Sequence, residues 1–238
     1  MPRYIPSIPF DDCFGSVGEL TFYHNRGKCY YRRRSRPGFP GTMLQMEHQT
    51  VHLRAIDAWQ HLPHSVQLEW NAIAPDVIVH RPPFDGTTHM SGYNLFVSAY
   101  HGYASLGNEH VPVPVPWEEF PVHSVDGVDT VSVVDGSLQL GFRIWMEESV
   151  EAGRFALLVR LQLTKPGGGL DAGKMRNFLA EGNLPGGWSV ATVNVEDYLN
   201  IWDLELPAYR VHLRHVLLDR RSGYRNIYSQ KSYEIVLP

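Results

Sequence analysis

The sequence predicts an α+β protein: an N-terminal β-hairpin with about three helices, followed by an antiparallel β-sandwich of immunoglobulin or fibronectin type. Three observations carry this reading. Apolar residues recur at helical spacing between Thr42 and Ala74, they alternate beyond residue 123, and the stiff run Val111-Pro112-Val113-Pro114-Val115-Pro116 stands between the two regimes. The implied division is an extended arm over 1–14, a hairpin and helical domain over 15–107, a connector over 108–122 and the sandwich over 123–238.

The arm follows from Pro2, Pro6 and Pro9, which fix φ and forbid helix. Glu19 to His24 and Lys28 to Arg34 are rich in aromatic and β-forming residues, and Asn25-Arg26-Gly27 between them suits a short loop with Gly27 left-handed. In the first helix Leu44, Val51, Ala55, Ala58, Trp59 and Leu62 share one face, and Pro63 stops it. A second helix is expected from Ser65 as cap through Trp70 to Ala74, and a third from Ser91 as cap through Leu95, Phe96, Ala99, Tyr103 and Leu106, with Gly107 ending it.

Beyond the connector, Leu138, Leu140, Phe142 and Ile144 alternate with Gln139, Gly141, Arg143 and Trp145. Phe155, Leu157, Val159, Leu161 and Leu163 do the same. Tyr209 to Asp219 and Asn226 to Leu237 read as a hairpin around Arg221-Ser222-Gly223, and Thr130 to Val134 and Trp188 to Val193 add two strands. Asp171 to Glu181 reads as a short capped helix inside a long loop, with Met175, Phe178 and Leu179 turned inward.

A chain of 238 residues that is 43% hydrophobic can bury a sizeable core. Its net charge of −4 argues against a nucleic-acid binder that uses its whole surface. Met1 to Phe14 lacks a basic segment followed by an apolar core, and no run approaches the roughly 18 apolar residues of a membrane span. A cytoplasmic or virion-associated location is therefore expected, without membrane contact. Cys13 and Cys29 are too few for a secreted disulfide framework.

The reactive motifs are incomplete. Gly168-Gly169-Leu170-Asp171-Ala172-Gly173-Lys174 has the placement of a phosphate-cradling loop, but Met175 stands where Ser or Thr must hold magnesium. His48 and His52 have the i, i+4 spacing that chelates zinc, yet Gln49 replaces the general base of a metalloprotease and no third ligand is evident. His212 and His215 fall on opposite sides of a strand. No serine sits in a Gly-x-Ser-x-Gly elbow, and the adjacent pairs Glu118-Glu119 and Glu147-Glu148 point apart on extended chain. No catalytic residue, metal ligand or cofactor is assigned.

Two surface features remain. Arg26, Lys28, Arg32, Arg33, Arg34 and Arg36 interleave with Tyr30 and Tyr31, and alternation sends Lys28, Tyr30, Arg32 and Arg34 to one face. A polyanion-binding stripe and a charged edge strand that resists aggregation are the competing readings. The other feature is the trio Trp145, Trp188 and Trp202, which would serve as a sugar platform if exposed.

Gly15-Ser16-Val17-Gly18-x-Leu20-Thr21-Phe22, Asn25-Arg26-Gly27-Lys28 and Tyr31-x-Arg33-x-Ser35-x-Pro37 occur in that order. They are followed by Ala58-Trp59-x-x-Leu62, Gln67-x-x-Trp70-Asn71-x-x-Ala74 and Ser91-Gly92-Tyr93-Asn94-x-Phe96. This set resembles the opening of a family of proteins of unassigned function, widespread in gut Bacteroidetes and with similar sequences in phages and prophages. Leu213 through Tyr228 resembles the closing hairpin of such chains. The resemblance implies no reaction and favours a structural or interaction protein, phage-associated or part of an assembly.

The resulting expectation is a non-enzymatic protein acting through protein partners or self-assembly, with Lys28, Tyr30, Tyr31, Arg32 and Arg34 as contact residues. The alternative is a carbohydrate-binding sandwich using Trp145, Trp188 and Trp202. The third reading is nucleic acid or another polyanion at the basic hairpin.

Overall fold

The computed structural model describes residues 15–25, 28–34, 41–80, 87–203, 205–226 and 229–238. The expected arm, Cys13, the Arg26-Gly27 loop, Arg36 and the side chain of Lys28 lie outside the described residues. The fold is α+β and forms two compact units, Met1–Met46 and Glu47–Pro238. The units do not divide at 108–122, and the segment expected to be a connector lies inside the second.

In the first unit, β1 (Gly15–Val17), β2 (Leu20–Asn25) and β3 (Lys28–Arg33) form an antiparallel sheet in the order β1-β2-β3. Tyr23 stands opposite Tyr30 and Thr21 opposite Arg32. Helix α1 (Met43–His61) begins at the end of this unit and continues into the second.

The second unit continues with α2 (His64–Ile73), β4 (Ile78–His80) paired with β5 (Thr87–His89), and α3 (Gly92–Ser105). Pro63, not Ser65, occupies the cap position of α2, with ψ at 141° and its carbonyl accepting from the N–H groups of Val66 and Gln67. Ser91 caps α3 by accepting the Asn94 N–H. Trp70, Ala74, Val77, Leu95, Phe96, Ala99 and Tyr224 form one buried cluster, with Ala58 and Trp59 of α1 and Leu62 just after it packed against it.

Two further antiparallel sheets follow from β6 (His123–Val134), β7 (Ser137–Met146), β8 (Phe155–Thr164), β9 (Arg176–Leu179), β10 (Gly187–Val195), β11 (Ala208–Asp219) and β12 (Ser229–Val236), with the short α4 (Tyr198–Trp202) before β11. Their orders are β10-β7-β6 and β12-β11-β8-β9. One core cluster draws Leu138, Leu140, Phe142 and Ile144 from the first sheet and Leu157, Leu161, Val211 and Leu213 from the second. Asp135-Gly136, both at positive φ, closes β6 onto β7 as a two-residue turn.

The helix expected over Asp171 to Glu181 is absent. A single 3₁₀ turn at Ala172–Lys174 is followed by β9, which takes the open edge of β8 and so satisfies backbone groups that a helix there would leave unpaired. Burial differs between the sheets. Both faces of β8 and β11 are largely covered, whereas β7 keeps exposed or half-buried residues at alternate positions. The outward face of the three-stranded sheet is therefore the open one.

Candidate functional site

That open face gathers two of the three tryptophans singled out in the sequence. Side chains alternate along β7, so Leu138, Leu140, Phe142, Ile144 and Met146 point into the core and Gln139, Gly141, Arg143 and Trp145 point outward. Antiparallel register then sets their neighbours. Trp188 of β10 stands directly opposite Trp145, and Val190 opposite Arg143. On the other side, Ser124 of β6 stands opposite Trp145 and Thr130 opposite Gly141.

Trp188 is 52% exposed and Val190 43%. The guanidinium of Arg143 lies 4.5 Å from the centre of the Trp188 ring, a cation–π contact that holds the indole against one cation and restricts its rotation. Gly141 sits at the centre of the face for a steric reason: a Cβ there would fall 2.1 Å from the Thr130 hydroxyl oxygen and 3.1 Å from Val190 Cγ1. Thr192, Asn194, Gln139 and Ser132 extend the row with hydroxyl and amide groups. The result is a sheet face bearing a few aromatic and apolar groups among many neutral hydrogen-bonding ones.

Trp202 is elsewhere. It belongs to α4, packs against the core, and donates from its indole N–H to the carbonyl of Lys174 at 2.9 Å. It lines a separate void of about 280 Å³ with Gln162, Lys165, Gly168 and Lys174. The glycine-rich loop beside it follows a strand flanked by antiparallel neighbours, which is not the parallel setting of a nucleotide-binding loop. His212 is fixed there, its Nε2 donating to the carbonyl of Gly168 and its Nδ1 accepting from Ser232.

Comparison with known proteins adds little to this geometry. No family model matches the sequence, and no curated protein does. Solved structures to which parts of the chain are similar include the following three. One is a catalytically inactive OgpA from Akkermansia muciniphila in complex with an O-glycopeptide, at TM-score 0.33 and 15% identity over 63% of this chain and 37% of that one. A second is β-glucosidase 3B from Thermotoga neapolitana, at 0.22 and 14% over 58% and 20%. The third is a β-glucosidase from Kluyveromyces marxianus, at 0.21 and 15% over 59% and 18%. The chain spans less than two-fifths of each of them. Likeness at this level assigns neither fold nor activity.

The basic strand in the first unit has its own arrangement. Tyr23 and Tyr30 stack with centroids 5.8 Å apart and planes 22° apart, and the Arg32 guanidinium lies 5.8 Å over Tyr23. Tyr31 contacts Phe22 on the opposite face, where Arg33 pairs with Glu19 at 3.1 Å. Arg34 is exposed just beyond β3. His24 Nε2 and Cys29 Sγ are 3.1 Å apart.

The carboxylates of Glu118 and Asp219 are brought together by Arg154, which belongs to no sequence motif. Arg154 Nη2 donates to Glu118 at 2.6 Å and to Asp219 at 3.0 Å, and Arg154 Nε donates to Asp219 at 3.3 Å. The hydrogen bond from Arg154 holds the Glu118 carboxyl below its ordinary range. This cluster borders a cleft of only about 80 Å³ shared with Phe120, Phe155 and Tyr224. With its cation and carboxylates already engaged, it is a bracing network.

Among the described residues no helix is long and apolar enough to cross a membrane.

Proposed function

We propose that the chain is a non-enzymatic binding protein, and that its ligand is a carbohydrate laid across the outward face of the β10-β7-β6 sheet. The carrying observation is the direct cross-strand pairing of Trp188 with Trp145, with Trp188 half exposed. An indole face takes up the C–H face of a pyranose ring, while neighbouring hydroxyl, amide and guanidinium groups bond to its hydroxyls. The composition of the face favours this ligand over an apolar protein partner. Trp188, Trp145 and Val190 are set among Ser124, Thr130, Gln139, Thr192 and Asn194 instead of forming one continuous greasy patch.

The scaffold is read as an immunoglobulin-like sandwich, a reading supported by two antiparallel sheets that share one core. The family resemblance noted from the N-terminal motifs agrees with a binding role. Electrophoresis of the full chain in native gels containing soluble polysaccharides tests the proposal. Retardation by at least one polysaccharide is expected for the wild type, with normal migration for Trp188→Ala. Unretarded wild-type protein across plant, bacterial and host glycans would contradict it.

A second reading belongs to the first unit. The ladder of Arg32, Tyr23 and Tyr30 has the alternation of cation and aromatic ring that binds polyanions through phosphate contact and stacking. Affinity for single-stranded DNA that falls steeply with salt, and falls again in Arg32→Ala and Arg34→Ala, is the expected signature. Absence of binding at low salt would remove this reading.

A further inference from the structure

We propose that Arg160 and Arg214 form a binding site for a phosphate group, free or as a monoester, on the four-stranded β12-β11-β8-β9 sheet. Arg160 of β8 stands directly opposite Arg214 of β11. The register carries this row across all four strands, with Asn177 of β9 beside Arg160 and Gln230 of β12 beside Arg214. Leu161 and Leu213, the next residues along, point into the shared core, so the row lies on the opposite face. Directly opposed residues of an antiparallel pair have Cβ atoms about 4.5–5.5 Å apart, which sets two cations side by side between two amides.

Like charges so placed destabilise a sheet, and an anion between them removes the repulsion. The sheet supplies no such anion. Among the described residues the arginines paired with carboxylates are Arg33, Arg154, Arg210 and Arg221. Glu234 shares the face four residues beyond Gln230, but it is engaged by Arg210 at 3.6 Å. Arg160 Nε is buried and meets no acceptor among the described residues. Arg214 Nε donates to Gln230 Oε1 at 2.9 Å, which orients that guanidinium and leaves its terminal nitrogens and the Gln230 amide N–H groups to donate outward.

The neighbouring rows shape a slot. Gln162 and His212 on one side and Leu158 and Val216 on the other are all buried. Gln162 Oε1 accepts the Asp171 N–H at 2.8 Å, and His212 is held by Gly168 and Ser232, so these side chains are occupied. Between them Arg160 and Arg214 are half-buried, and Asn177 and Gln230 are exposed at the two ends. Partial cover strengthens a guanidinium–oxyanion pair relative to one in open water. Two planar forks suit a tetrahedral oxyanion. A phosphate group, with a charge of about −1.5 to −2 at neutral pH, balances both cations, whereas a carboxylate balances one.

Isothermal calorimetry of the full chain at low chloride, with inorganic phosphate and glucose 6-phosphate as separate titrants, tests the site. An Arg32→Ala/Arg34→Ala background removes the basic hairpin as a competing site. One anion per chain is expected, with affinity weakened at least tenfold by Arg160→Met and by Arg214→Met, and unchanged by Lys165→Met. Binding of either titrant through the two arginines supports the site, and the tighter one identifies its source as the free anion or a monoester. Circular dichroism identifies a variant that fails to fold. Arg160→Lys, which keeps the charge and loses the fork, then replaces it, with binding at least about threefold weaker. Absence of binding by both titrants, acetate bound as tightly as phosphate, or binding that survives loss of Arg160 overturns the proposal. The pair would then be two surface arginines whose stems cover the sheet.

Discussion

Gly102 of α3 meets the backbone of Gly223 so closely that a Cβ on Gly102 would fall 2.0 Å from the Gly223 carbonyl oxygen. The reverse also holds: a Cβ on Gly223 would fall 2.4 Å from the Ala99 carbonyl oxygen, and Gly223 has φ +74°. Tyr103 reinforces the contact by donating from its hydroxyl to the Arg221 carbonyl. Gly102→Ala should therefore destabilise the protein by about 2–3 kcal/mol, a fall in Tm of roughly 5–10 °C. Gly223→Ala should cost more, since it adds backbone strain to the overlap. Thermal unfolding followed by circular dichroism measures both.

His215 is buried in the second unit, 2% exposed, with its ring edge-on to His123 at 5.5 Å. Burial, then the neighbouring His123 and Lys231, push its pKa down to about 4. The unfolded chain takes up this proton near pH 6.5 and the folded chain only near pH 4, so stability is full above 6.5 and declines as pH falls through that window. The loss approaches about 3 kcal/mol by pH 4. Urea midpoints between pH 7.5 and 4.5 should fall more steeply for the wild type than for His215→Leu, and equal slopes would exclude this cause.

Asp219 accepts from Arg154 and, through its other oxygen, from the backbone N–H of Arg221. Its side chain is 9% exposed, and removing it leaves the largely covered Arg154 guanidinium with only the exposed Glu118 carboxylate as partner. Asp219→Ala should cost about 3 kcal/mol in urea unfolding, and Arg154→Met a similar amount. The double variant Arg154→Met/Asp219→Ala should cost clearly less than the two singles together, because neither partner of the covered pair is then left without the other.

Sequence periodicity made much of the scaffold legible. The alternation of Leu138, Leu140, Phe142 and Ile144 marked the buried face of β7, and Ser91 marked the start of α3. Edge pairing was less visible. Arg176–Leu179 carries too short a pattern to distinguish a strand from a capped helix, and the free edge of β8 decides the matter. The Val-Pro run reads locally as a stiff linker, yet Tyr224 donates from its hydroxyl to Val115 and Trp117 packs against the helical cluster. That contact between distant segments leaves no local trace.

The candidate sites show the same limit. Trp145 and Trp188 were each visible as residues, but their adjacency depends on the register of two strands that pair residues 43 positions apart in the chain. Arg154 carried no motif, and it matters because folding places it between Glu118 and Asp219.

Trp188→Ala removes a half-exposed ring, so its stability cost should stay below about 1 kcal/mol while sugar binding weakens at least tenfold. Arg143→Ala should give an intermediate loss by releasing the indole. Calorimetric titration of the full chain with an oligosaccharide of whichever polysaccharide retards it is the most direct measurement. Heat of binding is expected for the wild type and for Trp202→Ala, and none for the Trp188→Ala/Trp145→Ala double variant at the same concentrations. Undiminished binding by the double variant would contradict it.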